Sequence, residues 1–243
     1  MERYEENKIG ETEQERKSER RRMAFLAAAS HELRTPIAIL KGQIDGMAQN
    51  TGVYKDRDKY LIKAGEIAAS LQDLLQRIIM VSKIESEDYV LNKKEIDLAE
   101  LVRSQIAELY ESIEEKNMEL NLSLSPKCRY ITDPELTSIV LRNLLTNAVC
   151  FSPAGEKIKI DLLETKNGGI NLKIENTGGH IPESDLEYIF DAFYRLEPSR
   201  NRKYGGSGLG LYIVREILEK QGASYKIMNT EEGVLFEIYY PVS

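Results

Sequence analysis

The stretch that decides the fold is Ser30-His31-Glu32-Leu33-Arg34-Thr35-Pro36, which lies within a helical pattern from Met23 to Met47. Apolar and small residues recur there in alternating steps of four and three, the spacing of a helix packed in a bundle or coiled coil. They are Leu26, Ser30, Leu33, Ile37, Leu40, Ile44 and Met47. His31 follows a seam residue, so the pattern predicts that its imidazole faces water. Thr35 is expected one turn further along the same face.

A second helical pattern with the same spacing follows a polar turn at residues 49–52. Its seam residues are Tyr60, Ala64, Ile67, Leu71, Leu74, Ile78 and Val81. Two helices joined by a short loop predict an antiparallel hairpin, which buries its apolar stripes poorly alone and well in a four-helix bundle of two copies. We therefore expect a homodimer through residues 20–86. The alternative is that the hairpin packs against the rest of its own chain.

From residue 89 onward the sequence changes to mixed helical and strand patterns. Asp97 and Asp133 occupy N-cap positions, and Pro134 follows at a first helical turn, so a helix is predicted after each aspartate. The predicted helices are 98–116, 134–151 and 209–220, and the predicted strands are 120–124, 157–163, 170–174, 224–228 and 234–240. Residues 176–206 are predicted to be rich in loops. Helices on one side of a mixed sheet form an α/β sandwich.

These patterns divide the chain into three parts. Residues 1–22 are a charged leader, interrupted by Gly10, that we interpret as the end of a connecting helix. Residues 23–88 form the hairpin, and residues 89–243 form the sandwich. The predicted fold class is α + α/β, a helical hairpin that makes a dimeric four-helix bundle, followed by the sandwich.

Composition limits the possible partners and sites. The net charge of −7 argues against nucleic acid as the main ligand, because no basic surplus is available to neutralise phosphates. The two cysteines, Cys128 and Cys150, cannot form a disulfide framework and lie in no zinc-binding pattern. No apolar run approaches the roughly 18 to 20 residues that a membrane-spanning helix needs.

The run from Phe25 to Pro36 closely resembles the H-box of sensor histidine kinases of two-component systems. In that family the histidine of His-Glu-x-x-Thr-Pro accepts a phosphoryl group, which implies this role for His31. Glu32 is then expected to hold the other imidazole nitrogen and to stabilise the cation that develops. Thr35 resembles the element that orients water in the phosphatase reaction. Without this resemblance, a lone surface histidine in a helix would be assigned no function.

The run Asn143-Leu144-Leu145-Thr146-Asn147-Ala148 resembles the N-box of the same kinases. Asn143 and Asn147 lie one helical turn apart, and an amide oxygen together with substrate phosphates suits Mg²⁺. The resemblance implies that both hold Mg²⁺ and the phosphates of ATP. Related ATPases of the gyrase and Hsp90 types carry a glutamate at the first position. Asparagine there provides no general base, which favours phosphoryl transfer to a protein nucleophile over hydrolysis.

Three further runs resemble the G1, F and G2 boxes, namely 174–182, 189–195 and 205–211. The nucleotide-binding residues that they imply are Asn176, Gly178, Arg195, Gly206, Gly208, Leu209 and Gly210. Glycines let the backbone approach phosphate, and the helix that follows the G2 box offers its N-terminal amides to the anion.

The chain departs from the family pattern at three of its residues. Asn176 stands where aspartate usually accepts a hydrogen bond from adenine. Because the asparagine NH₂ can also donate, we expect adenine recognition with weaker selectivity. His180 replaces a glycine and is expected to be a lid residue. Cys150 replaces a lysine, so the missing cation is expected to be Arg195, Arg200, Arg202 or Lys203.

The resemblance covers about residues 20–243 and implies the catalytic core of a sensor histidine kinase with a GHKL-type sandwich. ATP and Mg²⁺ bind the sandwich, His31 is phosphorylated, and the phosphoryl group passes to an aspartate of a response-regulator receiver domain, which the protein is also expected to dephosphorylate. The expected location is the cytoplasmic part of a protein anchored in the bacterial membrane by segments outside this chain. Two alternatives are a degenerate kinase that serves as a dimeric scaffold or only as a phosphatase, and a stand-alone ATPase.

Overall fold

The computed structural model describes residues 2–86, 88–126, 128–196 and 207–242, and side chains from residue 19 onward. The chain divides into two compact units, Met1–Met80 and Val81–Ser243. The helix at Arg57–Ile84 begins in the first unit and ends in the second.

The first unit contains the predicted helical hairpin. Helix α1 is Glu2–Ala48, a short 3-10 helix follows at Gly52–Lys55, and helix α2 is Arg57–Ile84. The turn between them includes Asn50 and Gly52, both with positive φ. Helix α1 begins 21 residues before the predicted start at Met23, and Gly10 does not interrupt it as the sequence suggested. One glycine costs a helix only about 1 kcal/mol, which long flanking helical segments can offset.

Each helix of the hairpin has two apolar faces. All seven predicted seam residues of α2 are buried or half-buried, which confirms that seam. In α1 three of the seven predicted seam residues, Leu33, Leu40 and Met47, are buried or half-buried. Leu26 and Ile44 stay about half exposed, and their neighbours Phe25 and Gln43 are buried instead. Within a single chain the α1 seam is thus confirmed at three of its seven positions and is wrong by one position at the other four. A bundle helix needs one face for its hairpin partner and another for a neighbouring copy, and the spacing alone does not separate them.

Among the residues that the structure describes, the second unit contains four further helices and seven strands. The helices are α3 (Leu98–Glu108), α4 (Tyr110–Glu115), α5 (Pro134–Phe151) and α6 (Gly210–Gln221). The strands are β1 (Lys94–Asp97), β2 (Glu119–Leu124), β3 (Arg129–Thr132), β4 (Lys157–Glu164), β5 (Ile170–Thr177), β6 (Ser224–Asn229) and β7 (Gly233–Tyr240). In the described part of the chain, five strands form the main sheet in the order β2-β4-β5-β7-β6, with β2 and β4 parallel and the other neighbouring pairs antiparallel. Strands β1 and β3 pair separately and antiparallel.

The main sheet has one apolar and one charged face. Alternate residues of β4 are fully buried, as are Leu141 of α5 and Ile217 of α6, so this face and the helices form the core. The opposite face carries ion pairs such as Lys226–Glu237, with 2.8 Å between Nζ and the carboxylate oxygen. The predicted α/β sandwich is confirmed.

Two features of the second unit differ from the sequence prediction. The single helix predicted at 98–116 is two helices, because the Leu109 N–H donates to the Ile106 carbonyl three residues back and tightens the turn. The small β1–β3 sheet was missed, since its four-residue strands are too short for a clear alternation. Both predicted aspartate caps are present, and Asp97 Oδ1 accepts from the Ala99 N–H at 2.9 Å.

Candidate functional site

Helix α5 carries the two asparagines of the N-box-like run. Its N-terminus is fixed by Asp133, which accepts from the N–H groups of Glu135 and Leu136. One face of the helix is buried, and Asn143 and Asn147 lie half-buried beside it. The Asn143 Nδ2 donates to the Ile139 carbonyl at 2.8 Å, which leaves Oδ1 as the atom available to a ligand.

The first turn of α6 lies against these two asparagines. A Cβ placed on Gly210 would be 3.2 Å from Asn143 Oδ1 and 3.9 Å from Asn147 Nδ2. No side chain of the described residues caps α6, and only the Leu209 N–H has a side-chain acceptor nearby, Ser207 Oγ at 3.3 Å. Open helix N-termini carry unpaired N–H groups that bind anions. The structure thus brings the N-box-like and G2-box-like residues together at a helix end without a side-chain cap among the described residues.

The remaining part of the G2-box-like run contacts the F-box-like turn. Gly208 has a φ of +73°, and a Cβ there would be 2.7 Å from backbone atoms of Phe193. The Phe193 N–H donates to the Gly208 carbonyl at 2.9 Å. Arg195 follows two residues later and is half-buried. Gly206, Arg200, Arg202 and Lys203 lie outside the described residues.

The G1-box-like run meets the end of α5. Strand β5 extends to Thr177 and so includes Asn176, which the sequence analysis assigned to a loop. The Asn176 Nδ2 donates to Ser152 Oγ at 3.1 Å. Gly178 has a φ of +74° and closely faces Glu156 and Pro153, while His180 is exposed.

The aromatic residues of the F-box-like turn hold that segment on the sandwich. Ile181, Ile189 and Val234 form a buried cluster against which Phe190 and Tyr194 pack. The Phe190 ring also lies 5.2 Å from the Tyr225 ring, between centroids.

Two residues near this site were missed by the sequence analysis. Phe151, at the end of α5, is 50% exposed, two residues after the buried Val149, and its carbonyl oxygen would be 3.8 Å from a Cβ placed on Gly179. Its position directly after the N-box-like run was a usable signal. Lys116 Nζ donates to the carbonyls of Val149, Cys150 and Ser152 at 2.6, 3.1 and 3.0 Å. No sequence signal links Lys116 to a helix end more than 30 residues away.

Cys150 occupies the position at which the family pattern has a lysine. Burial raises the pKa of its thiol, and the nearby Lys116 ammonium only partly opposes this shift. The thiol therefore stays neutral near pH 7 and supplies no charge to the site.

The phosphoacceptor candidate lies in the first unit, on α1. The His31 side chain is 75% exposed, and its Nδ1 is 3.7 Å from Glu32 Oε1. Thr35 is exposed one turn further on, and Pro36 follows within the same helix. The Ser30 hydroxyl donates to the Leu26 carbonyl at 2.8 Å and is thereby held on its own helix. Across residues 2–86, 88–126, 128–196 and 207–242, none of the helices combines the length and apolar character that crossing a bilayer requires.

Comparisons with known proteins match both units. Residues 21–87 match the His Kinase A (phospho-acceptor) domain, and residues 132–243 match the histidine kinase-, DNA gyrase B- and HSP90-like ATPase family. The sensor protein VanSB of Enterococcus faecalis is 32% identical over 89% of this chain and 48% of its own length. The sensor histidine kinase WalK of Bacillus subtilis is 31% identical over 87% of this chain and 35% of its own length. The chain thus spans half or less of these relatives.

Solved structures give the same match. The histidine kinase ThkA, in complex with the response regulator protein TrrA, aligns with a TM-score of 0.73 and 28% identity over 96% of this chain and 66% of that one. The histidine kinase AdeS of Acinetobacter baumannii aligns with a TM-score of 0.72 and 26% identity over 88% of this chain and 98% of its own. The chain belongs to the sensor histidine kinases.

The residues present fit a magnesium nucleotide. The Asn143 Oδ1 is an oxygen donor whose partner nitrogen is already hydrogen-bonded, which suits the preference of Mg²⁺ for hard oxygen ligands. The side of Gly210 that faces this oxygen carries no Cβ, and the adjoining helix end has open N–H groups for phosphate.

Proposed function

We propose that this chain is the catalytic portion of a sensor histidine kinase that transfers the γ-phosphoryl group of ATP to His31 and then to an aspartate of a response regulator. The observation that carries the proposal is the junction of Asn143, Asn147 and the open N-terminus of α6 around Gly210. We retain the sequence-based division into a leader at 1–22, a phosphotransfer hairpin at 23–88 and an ATP-binding domain at 89–243.

The proposed nucleotide site works mainly by positioning and charge stabilisation, which dominate phosphoryl transfer. The α6 amides and the backbone around Gly208 hold the phosphates, and Asn143 and Asn147 provide the oxygen ligands for Mg²⁺. When bound, Mg²⁺ neutralises phosphate charge. Phe151 and Asn176 flank the adenine. Asn143 provides no carboxylate to activate water, which supports transfer over hydrolysis and argues against a stand-alone ATPase.

His31 is the proposed nucleophile. Glu32 lies on the Nδ1 side of the ring, so Nε2 is the nitrogen directed away from it. Nε2 forms the new P–N bond to the γ-phosphorus while the P–O bond to ADP breaks, and Glu32 stabilises the imidazolium that results. The high exposure of His31 leaves this nitrogen accessible.

The hairpin is the proposed surface for both protein partners. The exposed apolar residues of α1 and α2 support a homodimer through this hairpin, and the ThkA complex with TrrA supports a response regulator as the second partner. Thr35, exposed one turn from His31, is proposed to orient water when the protein dephosphorylates the regulator. We retain the proposal from the family resemblance that this chain is the cytoplasmic part of a longer, membrane-anchored sensor, and the relatives that it matches are longer sensor proteins.

Autophosphorylation with γ-³²P-labelled ATP tests the kinase proposal. We expect label that is stable to base and labile to acid, that disappears in the His31→Gln variant, and that is lost when EDTA removes Mg²⁺. The Thr35→Ala variant is the matched control, because it changes the same helix face and should retain autophosphorylation. Label in the His31→Gln variant would contradict the proposal.

A degenerate kinase that acts as a scaffold or phosphatase is the second candidate. The absence of a lysine at position 150 favours it, because the neutral Cys150 thiol contributes no charge to the phosphates. This candidate predicts a folded dimer that binds a response regulator but takes up no label under any condition.

A further inference from the structure

The side chain of Asn176 can present two opposite chemical faces to a nucleobase. Its oxygen only accepts hydrogen bonds, whereas its NH₂ only donates. A purine with an amino group at position 6 requires the oxygen, and a purine with a carbonyl there requires the NH₂. The sequence alone leaves both orientations open, so the selectivity depends on what surrounds the amide.

The surroundings of Asn176 hold the NH₂ inward. Nδ2 donates to Ser152 Oγ at 3.1 Å, and Ser152 is only 2% exposed. Gly179 lies on the same side, where a Cβ would be 3.1 Å from Nδ2. The Oδ1 atom, in contrast, accepts no hydrogen bond from the residues that the structure describes, and Asn176 is only half-buried.

Ser152 is itself fixed at the end of α5. Its backbone N–H donates to the Ala148 carbonyl at 3.2 Å, and its carbonyl accepts from Lys116 Nζ at 3.0 Å. Its backbone is extended, with φ of −80° and ψ of 139°, and it ends the helix. A hydroxyl on a backbone held at both its N–H and its carbonyl makes a well-placed acceptor for the amide of Asn176.

We propose that Ser152 is a positioning residue that determines nucleobase specificity by orienting the amide of Asn176. With Nδ2 held by Ser152, Oδ1 accepts from the 6-amino group of adenine, as a carboxylate would. The 6-carbonyl oxygen of a purine such as guanine is also an acceptor. Opposite Asn176 Oδ1 it would leave both oxygens without a donor. This inference rests on the proposed binding of ATP, and it replaces the expectation that Asn176 weakens adenine selectivity.

Without the Ser152 hydroxyl, both amide orientations become similar in energy. The NH₂ could then turn toward the base and donate to the 6-oxo group. Loss of this one hydroxyl is therefore expected to change the ratio of the affinities for two nucleotides rather than the affinity for phosphates.

Calorimetric titration of the full chain with ADP and GDP, in the presence of Mg²⁺, tests the proposal. We expect the wild type to bind ADP at least about 100-fold more tightly than GDP. In the Ser152→Ala variant the ratio of the ADP affinity to the GDP affinity should fall about tenfold. Ser152→Thr keeps the hydroxyl and should keep the wild-type ratio. Ser207→Ala is the matched control, because its hydroxyl meets the Leu209 N–H near the phosphates and its loss should affect both nucleotides alike.

A second background separates orientation of the amide from general damage to the fold. Aspartate has acceptors on both sides, so in the Asn176→Asp background the additional Ser152→Ala change should leave the ADP to GDP ratio unaltered. The same ratio in Ser152→Ala and wild type would overturn the proposal, as would a wild type that prefers GDP, since the hydroxyl would then donate to Oδ1. A wild type that binds neither nucleotide would instead overturn the proposed function itself.

Discussion

At the scale of single residues, the position of one amide determines what Asn143 can do. Its NH₂ is hydrogen-bonded to the carbonyl of its own helix, so only the oxygen faces the first turn of α6. The sequence predicted that Asn143 and Asn147 share a face, because helical spacing fixes that relation. It could not predict which atom points outward, because this depends on the Ile139 carbonyl and on the approach of Gly210.

Replacement of Asn143 by alanine is expected to slow autophosphorylation about 100-fold, because the site loses an oxygen ligand for Mg²⁺. Initial rates with γ-labelled ATP measure the effect. Arg142→Ala is the control, since Arg142 is the exposed neighbour on the same helix and should change the rate less than twofold. An Asn143→Ala rate within twofold of wild type would show that this oxygen does not serve the reaction.

At the scale of secondary-structure elements, the G2-box-like and F-box-like segments are joined through Gly208. Alanine in a left-handed conformation costs about 1–2 kcal/mol. Gly208→Ala should cost clearly more, because the new Cβ would meet the Phe193 backbone at 2.7 Å. Gly155→Ala is a matched control, with a φ of +84° and open space around the Cβ position.

Urea denaturation of both variants separates these two contributions. We expect Gly155→Ala to lose about 1 kcal/mol in the free energy of unfolding, and Gly208→Ala to lose at least about 1 kcal/mol more and to bind ATP more weakly. Equal losses in the two variants would mean that the Phe193 backbone moves away from the new Cβ without lowering the free energy of unfolding.

Lys116 stabilises the C-terminal end of α5, because it donates to the carbonyls of Val149 and Cys150 within the helix and of Ser152 directly after it. Lys116→Met keeps the aliphatic part of the side chain and removes the charge and the donors. We expect a loss of about 1.5–3 kcal/mol in the free energy of unfolding, because hydrogen bonds to charged groups contribute about that much. Thermal and urea unfolding measure this loss. Lys166→Met, an exposed position, should change the stability by less than about 0.5 kcal/mol.

The elements that the sequence predicted well are those with long periodic patterns or strong caps. The α2 seam and the helix after Asp133 are examples, because both signals are local. The break at Leu109, the β1–β3 pair and the contact from Lys116 to α5 depend on residues brought together by the fold, so no local pattern indicates them. The same reason explains why Asn176 was assigned to a loop. The strands that keep it in β5 are β4 and β7, which pair with it at Ile158 and Val234.

At the scale of the whole molecule, the apolar residues that stay exposed on the hairpin are the basis for the expected dimer. On α2 they include Leu61, Leu75 and Ile79, which lie on one face at steps of fourteen and four residues. On α1 they include Leu26, Ile37 and Ile44. Exposed apolar stripes of this length indicate a surface that another helix pair covers.

Leu75→Glu is expected to convert the dimer into a monomer, because it places a charge within this stripe. Sedimentation velocity across a range of concentrations measures the change. Ile62→Glu is the control, since Ile62 is exposed but lies about 100° around the helix from Leu61 and Ile79 and about 140° from Leu75. A Leu75→Glu protein that associates as tightly as wild type would favour the alternative in which the hairpin packs against its own chain.

Helix α1 is continuous for 47 residues, which corresponds to about 70 Å. Twenty-eight residues lie between Glu2 and His31, and none of them is a proline. A rotation applied at the start of the helix therefore reaches the imidazole as a rotation of similar size. Removal of two residues between Gly10 and Arg22 would turn the two ends by about 200° relative to each other, whereas removal of seven would leave a mismatch of only about 20°. The number of residues between the start of α1 and His31 therefore determines the direction in which His31 points relative to the start of the helix.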